Sequence, residues 1–184
     1  DPNQSSTVYT DPIEINQTVT VKAIAYAPGL EPSAIAVALY TFPEFIEVQN
    51  LAALRAAYPS TDYFKVTGEV VVTFTQEWRN QKFVQDATGA ILIDDTPGII
   101  TTNYAEGDGI TGIVGTFTFY GEMLQFNPAS DPGPATSTGN TIVPQVITIS
   151  EMNTNFENYE AQLVTIENAS FVDQGSTFIN GTLY

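Results

Sequence analysis

Apolar and polar residues alternate with a period of two along much of this chain, and turn-forming residues cut the alternation into short segments. That pattern predicts β-strands with one buried face. The clearest stretch runs from Val66 to Phe126, where VTGEVVVTFT, QKFVQDATGAILIDD, GDGITGIVGTFTFY and GEMLQFNPA follow one another. In its first segment Val66, Val70 and Val72 alternate with Thr67, Val71 and Thr73, so one set is expected to face an interior. Successive antiparallel segments of this kind predict a small five-stranded barrel over residues 62–128.

Residues 1–42 read as a separate strand-rich module. Val8-Tyr9 leads into Asp11-Pro12, Ile13-Glu14-Ile15 alternates, and Thr18 to Tyr26 makes a long strand. Pro28-Gly29 marks a turn, and Ser33 to Phe42 forms a closing strand. Residues 43–61 connect the two parts, and Leu51 to Ala57 is their helical run, capped by Asn50 and stopped by Pro59. Residues 127–140 are rich in Pro, Gly and Ser, and 129–148 reads as a linker or long loop. In residues 149–184, Ile149 to Tyr159 predicts a short helix, and Ala161 to Val172 alternates as a strand. This helix and strand resemble the Lys65–Phe74 strand with the helix before it. Two readings stay open: the start of a second barrel-like unit, or a strand that finishes the first barrel. The fold class expected is all-β, with a partial sandwich, a barrel and one short linker helix.

Two resemblances add to this. Gly68-Glu69-Val70 followed by Phe83-Val84-Gln85-Asp86-Ala87-Thr88-Gly89 resembles the first strand and the (F/Y)-V-Q-D-x-(T/S)-G hairpin of OB-fold domains. In residues 1–42, Asp1-Pro2, Val8-Tyr9, Pro12-Ile13, Lys22-Ala23-Ile24-Ala25 and Pro32-Ser33 resemble the small immunoglobulin-like module at the C-terminus of chitobiase and β-hexosaminidase. The first strand of that module would lie before Asp1, which points to a processed or cropped start. Together the two resemble large secreted or surface-anchored proteins of Bacteroidota, in which such modules are spacers or ligand-presenting domains.

Charge narrows the function. There are 21 acidic residues against 5 basic ones, giving a net charge of −16. Lys22, Arg55, Lys65, Arg79 and Lys82 are too few to neutralise a phosphate backbone, so nucleic acid is not an expected partner. An OB-fold module of a secreted nuclease is accordingly the weakest alternative. Without histidine or cysteine there is no Ser-His-Asp triad, no thiolate and no imidazole metal site. No stretch has the roughly 20 apolar residues of a membrane-spanning helix.

Candidate sites are few. Trp78 and Arg79 lie in the loop between the first two barrel strands, with Lys82 and Tyr120 as further ligand-binding candidates. An aromatic ring beside a cation suits a sugar or a base, while the bland alternative has Trp78 covering a barrel end. Phe117 and Phe119 share one strand face, where core packing is the expected role. Asp94, Asp95, Glu106 and Asp108 offer oxygens that suit Ca²⁺, but not at EF-hand spacing. Solvated carboxylates are the alternative there, and neither a metal nor a cofactor is expected. Sequons begin at Asn3, Asn16, Asn168 and Asn180 and would carry glycans only in a eukaryotic secretory protein.

The expectation is a non-catalytic structural or adhesive segment of an extracellular, cell-surface or filament-forming bacterial protein, and not an enzyme. A carbohydrate-binding accessory module of a secreted enzyme is the alternative. Expected partners are other protein modules or further copies of the chain, by strand addition or head-to-tail contact, with glycans as a further option.

Overall fold

The computed structural model describes residues 1–184 apart from residues 16, 43, 171–174, 176 and 178–184. The sequons at Asn16 and Asn180 and the end of the alternating 161–172 stretch lie outside the described residues. The chain divides into two compact units, residues 1–44 and 45–184.

In the first unit Val19–Ala23 (β1) and Ala36–Tyr40 (β2) pair antiparallel, from Val19 opposite Tyr40 to Ala23 opposite Ala36. The Pro28-Gly29 turn holds Gly29 at φ +77°, a conformation open to glycine, and the Leu30 N–H donates to the Ala27 carbonyl. Ser33 fastens the hairpin, its Oγ accepting from the Ala25 N–H at 2.9 Å. Of the partial sandwich expected here, the described residues carry this one hairpin. Its apolar side chains stay outside, with Val37 62% and Leu39 65% exposed.

The second unit opens with Phe45–Val48 (β3), Leu51–Ala56 (α1) and Tyr63–Val66 (β4). Val70–Gln76 (β5), Gln81–Asp86 (β6), Gly89–Ile93 (β7), Gly109–Ile110 (β8), Ile113–Tyr120 (β9) and Met123–Pro128 (β10) complete one sheet. Its order is β3-β4-β9-β10-β7-β6-β5-β8. β4 and β5 are two halves of one chain segment, as are β8 and β9. β4 pairs with β9 and β5 with β8, so the same two segments meet at both ends of the sheet. The sheet therefore curls round on itself as a small barrel of five chain segments, with β7 and β10 pairing parallel. Gly68 marks the break in the first strand, because a Cβ there would lie 2.2 Å from the Gln49 carbonyl oxygen.

The interior is filled as the alternation requires. Val66, Val70 and Val72 are at most 1% exposed, while Val71 and Thr73 are half-buried on the other face. Val84, Ile91, Ile93 and Phe126 join them from β6, β7 and β10. Helix α1 adds Leu51 and Leu54, both fully buried. It starts at Asn50, whose Oδ1 accepts from the Ala53 N–H at 2.9 Å. The β6–β7 turn supplies two further caps: Asp86 accepts from the Leu51 N–H at 2.8 Å and Thr88 from the Ala52 N–H at 3.0 Å. Asp86 also holds its own turn through the Thr88 and Gly89 N–H groups. The Asp and Thr of the hairpin motif thus serve two elements at once, which satisfies helix donors that would otherwise be orphaned.

From the end of β7, two carboxylates organise the loops. Asp95, fully buried, accepts from the Ile99 and Ile100 N–H groups at 2.7 and 2.9 Å. Asp131 receives the N–H groups of Thr101, Thr102 and Gly133, which hold it well below the usual carboxylate range. The Pro/Gly-rich segment is laid against the barrel. Gly109 and Ser137 form a β-bridge, and Asn140 donates to the Gly107 carbonyl.

Beyond it Gln145–Ile147 (β11) and Val164–Ile166 (β12) pair parallel in a sheet separate from the barrel's. Ile149–Thr154 (α2) and Phe156–Tyr159 (α3) lie between them. Thr148 and Glu151 form a reciprocal capping box on α2. This strand–helix–strand order repeats that of β3, α1 and β4, which also pair parallel.

Candidate functional site

Three of the four ligand-binding candidates meet on the outer face of the barrel. Ile91 and Ile93 point into the core, so Asp94 points outward; Phe117 packs against the core, so Thr118 and Tyr120 face out. The loop Glu77 to Asn80 then folds back, with Arg79 and Asn80 held at φ 58° and 48°. Non-glycine residues in that left-handed region are uncommon and need fixing by their surroundings. The fixing group is Asp94: Arg79 Nε donates to its Oδ1 at 2.9 Å and Nη2 to its Oδ2. Asp94 is 3% exposed, and the hydrogen bond from Arg79 holds it below the usual carboxylate range against the opposing effect of burial.

The guanidinium carbon lies 5.3 Å from the Trp78 ring centroid and 5.6 Å from that of Tyr120. Both distances fall within cation–π range. Trp78 is 64% and Tyr120 61% exposed, so Trp78 does not serve as a barrel-end cover. Arg79 reaches from Asp94, which follows β7, to Tyr120 on β9, and so spans β10 between them. On β10 the outward Gln125 is buried, and its Oε1 has no hydrogen-bond partner among the described residues. Tyr120 is presented by a two-residue turn in which Gly121 and Glu122 both have positive φ, the form that matches strand twist.

Lys82 lies apart from this group. It is 8% exposed, its Nζ donates to the Asn80 carbonyl at 2.9 Å, and burial pushes its ammonium below the ordinary lysine range. Because β6 alternates, the parity that puts Val84 in the core also turns Lys82 inward. Of the aromatic pair, Phe117 packs on the core beside Phe64 and Phe126, whereas Phe119 runs past it and is 56% exposed.

The calcium candidates are dispersed by their own bonds. Asp94 is taken by Arg79 and Asp95 by backbone amides. Asp108 accepts from the Ala105 N–H at 2.8 Å, and Glu106 is exposed. Among the described residues no three acidic side chains come together as a metal site would require.

The partnership of Arg79 with Asp94 was not legible in the sequence. The two are 15 residues apart, and only the β6–β7 hairpin returns the chain to bring them together.

Fold and site thus define an all-β chain in whose second unit two exposed aromatic side chains, Trp78 and Tyr120, flank an arginine neutralised by Asp94. Over residues 1–40 the chain is similar to the family described as Fn3 associated. That similarity suggests a fibronectin-type associated accessory module in this part of the chain. No curated protein and no solved structure matches the chain.

Proposed function

We propose that this chain is a non-catalytic structural or adhesive segment of an extracellular or cell-surface bacterial protein, filament-forming proteins included. One observation carries the reading: a buried carboxylate and its partners fasten the 145–166 repeat to the barrel. Glu160 joins the 145–166 repeat to the barrel, accepting from the Leu124 N–H at 2.9 Å and from Arg55, which also donates to the Ala90 carbonyl at 3.1 Å. Leu163 adds an N–H to Gln85 at 3.0 Å. A joint of this kind fixes one folded unit against the next, which is what a spacer needs. The Fn3-associated similarity of residues 1–40 supports an accessory role, and the chitobiase-type and OB-type residues support a place in secreted multidomain proteins. Partners in this reading are other protein modules or further copies of the segment.

Antibody labelling of intact cells that make the protein tests its location. The reading expects an epitope within residues 45–166 to be labelled before lysis. An epitope labelled only after the cells are opened contradicts it.

A carbohydrate-binding accessory module of a secreted enzyme is the second reading, favoured by the exposure of Trp78 and Tyr120 on either side of Arg79. Aromatic rings stack on the apolar faces of sugars, and a guanidinium neutralised by Asp94 favours neutral glycans over anionic ones. Binding on a glycan array that Trp78→Ala abolishes would support this reading. A Trp78→Ala protein with an unchanged array profile would end it.

A further inference from the structure

A cleft of about 480 Å³ opens where α1, the β9–β10 hairpin and α3 come together. Three aromatic rings line it, Tyr58, Phe119 and Phe156, and each is more than two-fifths exposed. Tyr58 and Phe119 stack with centroids 6.1 Å apart and planes 21° from parallel. The cleft also holds the Arg55–Glu160 ion pair, with side chains 21% and 5% exposed. Both Glu160 oxygens are taken, one by Arg55 and one by the Leu124 N–H, so this pair has no charge to offer. Glu122 and Glu157 complete the lining. Both are exposed, and among the described residues neither carboxylate takes part in an ion pair.

We propose that this cleft receives a lysine or arginine side chain from a basic segment of a partner protein. The aliphatic stem would lie along the rings of Tyr58, Phe119 and Phe156, whose faces also attract a cation. The charged end would meet Glu122 and Glu157. The net charge of −16 raises the local concentration of basic segments and speeds their encounter with the surface.

A separate protein suits the cleft better than a second copy of this chain, which has only five cations, each already paired or buried. Lys22 pairs with Asp1, Arg55 with Glu160, Lys65 with Glu47 and Arg79 with Asp94, while Lys82 is buried against the Asn80 carbonyl. The inference rests on the adhesive reading above only in treating the cleft as a binding surface. If no basic segment binds, that reading keeps its own test on intact cells.

The experiment is a calorimetric titration of the whole chain at low salt with three probes. They are a capped peptide carrying four lysines among apolar residues, the same peptide with every lysine acetylated, and tetramethylammonium chloride. The lysine peptide should bind saturably and the acetylated one should not. The double variant Glu122→Gln/Glu157→Gln should raise Kd about three- to tenfold, the sum expected of two exposed ion pairs. Phe156→Ala should raise it about threefold through the lost cation–π contact. A control pair outside the cleft, Glu14→Gln/Glu106→Gln, removes the same charge and should change Kd less than about twofold, as a long-range screened effect would. Amide spectra of each variant report that the fold is kept, so a lost signal cannot come from unfolding. Equal binding of the acetylated peptide overturns the proposal, as does a control pair that weakens binding as much as the cleft pair. Binding of tetramethylammonium without binding of the peptide overturns the protein partner.

Discussion

Strand β2 in the first unit, AVALY, and strand β5 in the second, VVVTFTQ, both carry large apolar residues at alternate positions, yet those side chains meet different fates. Val37 and Leu39 of β2 are 62% and 65% exposed, whereas Val70 and Val72 of β5 are 0% and 1%. Alternation alone does not separate the Val37, Leu39 pair from the Val70, Val72 pair. β5 has a partner on each side, β6 and β8, within a sheet that curls until its own segments meet again. Helix α1 then adds Leu51 and Leu54 to the interior. β1 and β2 pair only with each other among the described residues, and a lone two-stranded hairpin is at best marginally stable. Burial in this protein is a property of closure, which brings together residues far apart in sequence.

That contrast can be broken or sharpened by substitution. Leu54→Ala should have the largest effect. It opens a cavity under the barrel and should cost about 2–5 kcal/mol, read as a lower urea midpoint for the 45–184 unit. Glu160→Ala should follow at about 3 kcal/mol, because it removes the cap on Leu124 and leaves Arg55 unpaired. Its signature would be loss of amide protection in β11 and β12 before the barrel strands.

Asp131→Asn should cost about 1–2 kcal/mol at neutral pH, since the amide accepts the Thr101, Thr102 and Gly133 N–H groups less well than the carboxylate. Asp131 has a depressed pKa in the folded state, so its contribution is complete above the unfolded value and fades as pH falls toward the folded one. The gap between the two proteins should therefore narrow below pH about 4, and a gap that widens there would contradict this assignment. Leu39→Ala, the same kind of truncation as Leu54→Ala but on the open hairpin, should shift stability by about 0.5 kcal/mol or less. A loss as large as that of Leu54→Ala would show that β2 is covered after all.

Much of the fold was legible because it is written locally. The Val66, Val70 and Val72 set, the Asn50-capped helix and the Phe83–Gly89 hairpin each depend on neighbours in sequence or on a period of two. What escaped reading depends on distance along the chain. β3 lies inside what reads as a connector, because its partner β4 is reached only after a helix. The Pro/Gly-rich 127–140 stretch looks like free chain until Asp131 and the Gly109–Ser137 bridge tie it down. Trp78, Arg79 and Tyr120 stand out in the sequence by residue type, and the fold brings the three side chains together. Lys82 is near Trp78 and Arg79 in sequence, but β6 alternation turns it into the protein.

The central claim is that residues 45–166 form one cooperative body, barrel and repeat joined through Arg55 and Glu160, while the β1–β2 hairpin opens by itself. Native-state hydrogen exchange with residue resolution tests this most directly. The account predicts that the β1 and β2 amides exchange through low-energy local opening. The amides of Val72, Val84, Phe126, Leu124 and Ile147 should share one much higher opening energy that falls together with denaturant. If Leu124 and Ile147 exchange at the hairpin's low opening energy, or if hairpin and barrel open in a single step, the account is contradicted.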